Sequence, residues 1–118
     1  MLSDNIYIQQ LKECLSELDV YLVLLFGSYA HGTPNQDSDL DIFVVLNDNT
    51  MPVTFKDKQE LYLKVSYYTR PVAKQIPIDL MVFTLPMFDQ FKKNNSSFSK
   101  EILNKGIVIY ESNHATMA

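Results

Sequence analysis

The chain has 118 residues but only one cysteine, Cys14, and no tryptophan. A single thiol excludes an internal disulfide framework and a cysteine-rich zinc site. No apolar run approaches the roughly 20 residues needed to span a bilayer, so no membrane association is expected. The first residues, MLSDNIYIQQ, lack the cationic start and apolar core of a signal peptide. A cytoplasmic protein is the default expectation. The net charge of −4 provides no global basic field, so direct nucleic-acid binding is not expected. The most pointed absence is local: no Lys or Arg occurs between Lys12 and Lys56. What remains is a soluble, globular composition, 47% hydrophobic and 20% charged, of a length that suits one compact domain. There is no internal repeat, low-complexity tract or linker.

Hydrophobic periodicity predicts the elements. Residues Ser3 to Leu18 read as an amphipathic helix, capped by Ser3 or Asp4, with Tyr7, Leu11, Leu15 and Leu18 on one face. Cys14 on this helix reads as a small half-buried residue, not a reactive thiol. Val20 to Phe26 (VYLVLLF) reads as a strand covered on both faces. Asp39 to Leu46 is a second strand. Thr54 to Thr69 is a second long helix with a capping pair, Thr54 and Asp57, an inward stripe of Leu61, Val65 and Tyr68, and Pro71 as its limit. Ile76 to Phe83 is a third strand, and Pro77 argues that it starts or edges the sheet. Two short helices follow, Thr84 to Lys93 with Phe88 and Phe91 inward, and Ser99 to Lys105 ended by Gly106. Ile107 to Tyr110 is a last strand. Residues 1–110 thus form one domain, and Glu111 to Ala118 reads as a polar, frayed tail. The class is α/β (α+β): a small mixed sheet with helices packed mainly on one face. Composition alone also permits a small flavodoxin-like fold.

The chain is organised around Leu24 to Leu46, LLFGSYAHGTPNQDSDLDIFVVL. Gly27 stands where the first strand must turn sharply, and a residue without Cβ lets the backbone approach a ligand closely. Ser28 begins a short helix, Ser28 to His31, whose first N–H groups and hydroxyl suit phosphate oxygens. Asp39 and Asp41 then share one face of a strand, about 6.5–7 Å apart along it. Two carboxylates so close resist joint ionisation unless a cation holds them. Mg²⁺ fits, because it takes one or two carboxylates together with substrate phosphates. Asp79 interrupts an otherwise apolar strand, where a buried carboxylate is costly unless paired or metal-bound. If that strand lies beside the second, Asp79 joins Asp39 and Asp41. With no cation nearby in sequence, Lys56, Lys58, Lys64, Arg70 or Lys74 could supply charge from another element. Plainer readings exist: Asp39 as a turn cap, Asp41 as a salt-bridged edge residue, Asp79 as an exposed strand residue, and Ser28 as a helix cap only.

The pattern Gly27-Ser28, ten residues, Asp39-Leu40-Asp41 resembles the signature of the DNA polymerase β-type nucleotidyltransferases. GSYAHGTPNQDSDLDIFVV is similar, within that superfamily, to the minimal nucleotidyltransferases (MNT proteins), which include antitoxins paired with HEPN-domain toxins. The resemblance spans about Leu2 to Tyr110. It implies the single-domain polymerase β-like fold, ATP as substrate, and two Mg²⁺ ions held by Asp39, Asp41 and Asp79 as metal-binding catalytic residues. Gly27 and Ser28 would hold the triphosphate. The implied function is transfer of AMP from ATP to a hydroxyl, a tyrosine of a partner HEPN ribonuclease toxin, which silences it. The family commonly carries Arg where this chain has His31. His31 could touch phosphate when protonated or be a neutral surface residue. Two other classes stay open: a non-catalytic antitoxin that acts by binding, and a small-molecule nucleotidyltransferase of the antibiotic-resistance type.

Overall fold

A computed structural model of the chain describes residues 6–27, Ala30 and residues 39–112. Among the described residues, the order is α1 (Ile6–Leu15), β1 (Val20–Phe26), β2 (Leu40–Leu46), α2 (Phe55–Ala73), β3 (Ile78–Phe83), α3 (Leu85–Asn94), α4 (Ser97–Lys105) and β4 (Ile107–Glu111). The strands form one mixed sheet in the order β3-β2-β1-β4. β1 is antiparallel to both β2 and β4, while β2 and β3 are parallel. The antiparallel pairs rule out the flavodoxin-like alternative, whose sheet is parallel. Pro77 immediately precedes β3, an edge strand, as a residue without an N–H requires. Its carbonyl accepts the Leu40 N–H at 2.9 Å.

Alternation along the strands divides the core in two. Val23, Leu25, Ile42, Val44 and Leu80 point to an aliphatic layer closed by Ile8, Leu11 and Leu15 of α1 and Val65 and Val72 of α2. This is the main helical layer. Leu22, Leu24, Phe43 and Val45 point the other way, onto Phe88 of α3 and Ile102 of α4. The two shorter helices therefore add a second layer, held by aromatic contacts. Phe43 meets Phe83, Phe88 and Phe91 at centroid distances of 4.6, 5.9 and 5.2 Å. These separations suit offset and tilted aromatic packing.

Several boundaries differ from the sequence reading: α1 ends at Leu15 rather than Leu18, β2 begins at Leu40 rather than Asp39, β3 begins at Ile78 rather than Ile76, and three further differences have a visible cause. The α2 helix does not stop before Pro71 but continues to Ala73. Pro71 is exposed while Val72 is buried, so docking of the last turn outweighs the one hydrogen bond that proline removes. The Thr54 cap forms as expected, its hydroxyl accepting the Asp57 N–H at 3.1 Å. α4 starts at Ser97, because Ser96 caps it by accepting the Ser99 N–H at 3.1 Å. β4 runs through Glu111, which pairs with Leu22, and the buried Ser112 donates its N–H to the Tyr21 carbonyl at 2.8 Å. The ordered sheet thus extends past Tyr110, and residues 113–118 lie outside the described residues. α1 buries Ile8 along with Leu11 and Leu15, and Cys14 sits half-buried beside them. Burial, then the charges of Glu13 and Glu17, push the Cys14 thiol up, away from reactivity.

Candidate active site

The site lies where β1 ends and β2 and β3 begin. In the β1–β2 ladder Phe26 pairs with Asp41, and in the β2–β3 ladder Asp41 pairs with Asp79. The sheet therefore carries Phe26, Asp41 and Asp79 in one row across three strands. Asp41 and Asp79 share the face of Phe43, the face covered by α3 and α4. Asp39, two residues before Asp41, is exposed at the mouth. The parallel pairing of β2 with β3 is what brings a carboxylate from residue 79 beside one from residue 41.

Gly27 follows the row at once. Its φ is +75°, a conformation that L side chains rarely adopt. A Cβ there would also collide with the Asp41 carboxylate, meeting its Oδ2 and lying 2.9 Å from its Cγ. The glycine is thus required twice, by the turn and by the approach of the backbone to Asp41. The turn is closed by the Ala30 N–H, which donates to the Gly27 carbonyl at 3.1 Å. Ala30 itself is helical, and the rest of the expected Ser28–His31 helix falls outside the described residues. Ser28, His31 and the loop up to Ser38 lie outside the described residues.

Asp41 is half-buried and its carboxyl is held above the usual carboxylate range. Burial is the largest cause, followed by the charges of Asp79 and Asp39 and by a carboxyl-to-carboxyl contact with Asp79. A protonated or cation-bound carboxylate relieves this conflict. Among the described residues, no three His, Cys, Asp or Glu side chains are gathered as a ready metal cage. What comes together is the Asp41–Asp79 pair, with Asp39 adding its charge from the rim. This donor set is all hard carboxylate oxygen with room for further oxygen ligands, which suits Mg²⁺.

The row forms one wall of a cleft of about 290 Å³. The facing wall is α4, with Phe98, Glu101 and Lys105. Sequence reasoning missed these three. They flank the buried Ile102 at helical spacing, which gives a faint signal of a site-facing side, but only strand pairing brings α4 beneath Gly27. The cations expected from α2 are not at this cleft: α2 packs on the opposite face, Lys64 acts on Asp48, and Arg70 lies 5.4 Å from the Tyr67 ring. Lys58 lines a separate groove with Phe83, at the other end of β3.

A glycine turn pressed against paired carboxylates thus lines an open cleft at one end of the mixed sheet. The family model of polymerase β nucleotidyltransferases matches residues 9–115. The chain belongs to that family, and it is a nucleotidyltransferase. A relative from Methanocaldococcus jannaschii, named "Putative protein adenylyltransferase", is 31% identical over 88 residues, which cover 74% of this chain and 76% of the relative. Among solved structures, a toxin–antitoxin crystal structure with AMP-PNP aligns over 93% of this chain and 77% of that one, at 20% identity and a TM-score of 0.57. A double Asp-to-Glu mutant of the MntA–HpeT toxin–antitoxin covers the same shares, at 17% identity and a TM-score of 0.54. These two likenesses show that the fold is shared.

Proposed function

We propose that the chain is a Mg²⁺-dependent protein adenylyltransferase that moves AMP from ATP onto a tyrosine hydroxyl of a HEPN ribonuclease toxin, and so acts as its antitoxin. The observation that carries the reading is the Gly27 turn packed on Asp41 with Asp79 paired beside it. The relative named for protein adenylylation supports a protein as acceptor, and the toxin–antitoxin neighbours support a toxin as that protein.

Asp39, Asp41 and Asp79 would hold two Mg²⁺ ions, which supply positive charge against the triphosphate and the departing pyrophosphate. Gly27, and Ser28 after it in sequence, would hold the triphosphate. Asp41, fixed by the sheet and by Gly27, sets where the α-phosphate sits. Asp79, the more exposed of the pair, takes the proton of the acceptor hydroxyl. The acceptor oxygen forms a bond to the α-phosphorus, the bond from that phosphorus to the β-bridging oxygen breaks, and pyrophosphate leaves with the electron pair. Positioning and charge stabilisation carry such a transfer.

The test is intact mass spectrometry of the toxin encoded beside this chain, after incubation with the chain, ATP and Mg²⁺. A gain of one or more AMP units with wild type, and none with the Asp39→Asn/Asp41→Asn double mutant, is expected. A stable complex without mass gain would instead make the chain an antitoxin that acts by binding.

A further inference from the structure

We propose that Lys105 is the cation that grips the phosphate chain of the nucleotide, supplying from the end of α4 the charge that the stretch between Lys12 and Lys56 lacks. The inference deepens the proposed function and rests on the nucleotide-binding part of it. Three observations carry it. Lys105 lines the same cleft as Gly27, Asp41 and Asp79. The antiparallel β1–β4 ladder ends at the pair Leu25–Ile107, so the end of α4 at Lys105 and the turn at Gly27 both leave the sheet from that same edge. Among the described residues Lys105 makes no ion pair; the exposed pair Lys93–Asp89, at 2.9 Å, lies on α3.

The position is built, not incidental. Ile102 is buried, and the Ser99 hydroxyl donates to the Phe91 carbonyl at 2.9 Å, which fixes α4 under the sheet. The Gly106 N–H donates to the Ile102 carbonyl at 2.9 Å and ends the helix, and a Cβ at Gly106 would press on that same carbonyl oxygen. Chain direction at Lys105 is therefore set on both sides. The cleft is otherwise acidic, with Asp41, Asp79 and Glu101 in its lining. Among the described residues, Lys105 is the one cationic side chain in that lining, so a polyphosphate entering the cleft finds its only opposite charge there. An ammonium there forms charge-assisted hydrogen bonds to phosphate oxygens beside the glycine turn. Its effect falls on the β- and γ-phosphates, so it distinguishes ATP from AMP.

Calorimetric titration with Mg²⁺·AMP-PNP and, separately, with AMP tests this. Lys105→Gln should weaken AMP-PNP binding about tenfold or more, the worth of a charge-assisted contact, and change AMP binding less than about twofold. Lys105→Arg should restore most of the affinity. Lys100→Gln removes the same charge from the same helix outside the cleft lining and should bind AMP-PNP like wild type. Lys105→Met, which keeps the aliphatic stem, repeats the test should the glutamine variant not fold. Wild-type AMP-PNP affinity in Lys105→Gln or Lys105→Met, or equal losses for AMP-PNP and AMP, would overturn the role of Lys105 and leave the proposed function standing. Absence of nucleotide binding by wild type would overturn both.

Discussion

The two ends of β2 each carry aspartates, and they are treated in opposite ways. Beyond the C-terminal end, Asp48 accepts the Thr50 N–H at 2.8 Å and the Thr50 hydroxyl at 2.7 Å, while its carbonyl receives the Leu85 N–H at 2.9 Å. The backbone bond from Thr50, then its hydroxyl, hold the Asp48 carboxyl below its ordinary value, with Lys64 adding a smaller pull. At the N-terminal end, Asp41 is pushed the other way by burial and by two further carboxylates. One strand thus presents a carboxylate satisfied by the fold and another left in conflict with its surroundings. The satisfied one holds the β2–α2 and α3 connections together. The conflicted one marks the place where a ligand's charge is expected, since perturbed carboxylates in clefts are characteristic of functional sites.

Breaking the contrast at Asp41 should have the largest effect. Asp41→Asn removes the charge that organises the site, and nucleotidyl transfer should fall by about a hundred- to a thousandfold, the range for loss of a principal electrostatic group. The same change relieves like-charge repulsion, so the melting temperature of the unliganded protein should rise. A fall in both activity and melting temperature would mean that Asp41 is also structural. Gly27→Ala comes next: its Cβ would meet the Asp41 carboxylate at a backbone angle that alanine resists. A loss of about 1–3 kcal/mol of stability, read by denaturant titration, and severe loss of activity are expected.

At the other end of the strand, Asp48→Ala should cost about 1 kcal/mol, because hydrogen bonds exposed to water contribute modestly. Transfer activity per folded molecule should stay near wild type. The smallest effect is the pH dependence. Asp41 binds its proton more tightly folded than unfolded, so its contribution stabilises the unliganded protein as pH falls through its raised value and is lost as pH rises. Asp48 binds its proton less tightly when folded, so its contribution is present above the unfolded value near 3.8 and is lost as pH falls below it. Stability curves between about pH 3 and 7 should therefore change slope in opposite senses for Asp41→Asn and Asp48→Asn.

Much of the fold was legible because apolar runs and punctuating residues coincide in this chain. VYLVLLF is a strand with the boundaries its sequence suggests, LDIFVVL begins one residue later than expected, and Pro77 marks an edge strand as expected. Pro71 misled, since local proline chemistry says nothing about the burial of Val72 beyond it. The second helical layer was partly visible in Phe88 and Phe91, but not the depth of the Phe43 cluster that joins α3 to the sheet. At the candidate site, Gly27 and Asp41 could be singled out from their residue types in apolar surroundings, but the burial expected of Asp79 is not found, since its side chain is exposed. The side-by-side pairing of Asp41 with Asp79 needed the parallel register of β2 and β3. Lys105 was invisible for the same reason. Sequence distance places it 78 residues from Gly27, and only the folded chain brings the two to one cleft.

The most direct test of the account is the thermal stability of wild type, Asp41→Asn and Asp48→Ala with Mg²⁺ and AMP-PNP, with and without EDTA. Wild type and Asp48→Ala should gain melting temperature from the pair of ligands and lose that gain when EDTA removes the metal, while Asp41→Asn should gain little. An equal gain in Asp41→Asn, or a gain in wild type that survives EDTA, would contradict the claim that the conflicted end of β2 is where cation and nucleotide meet.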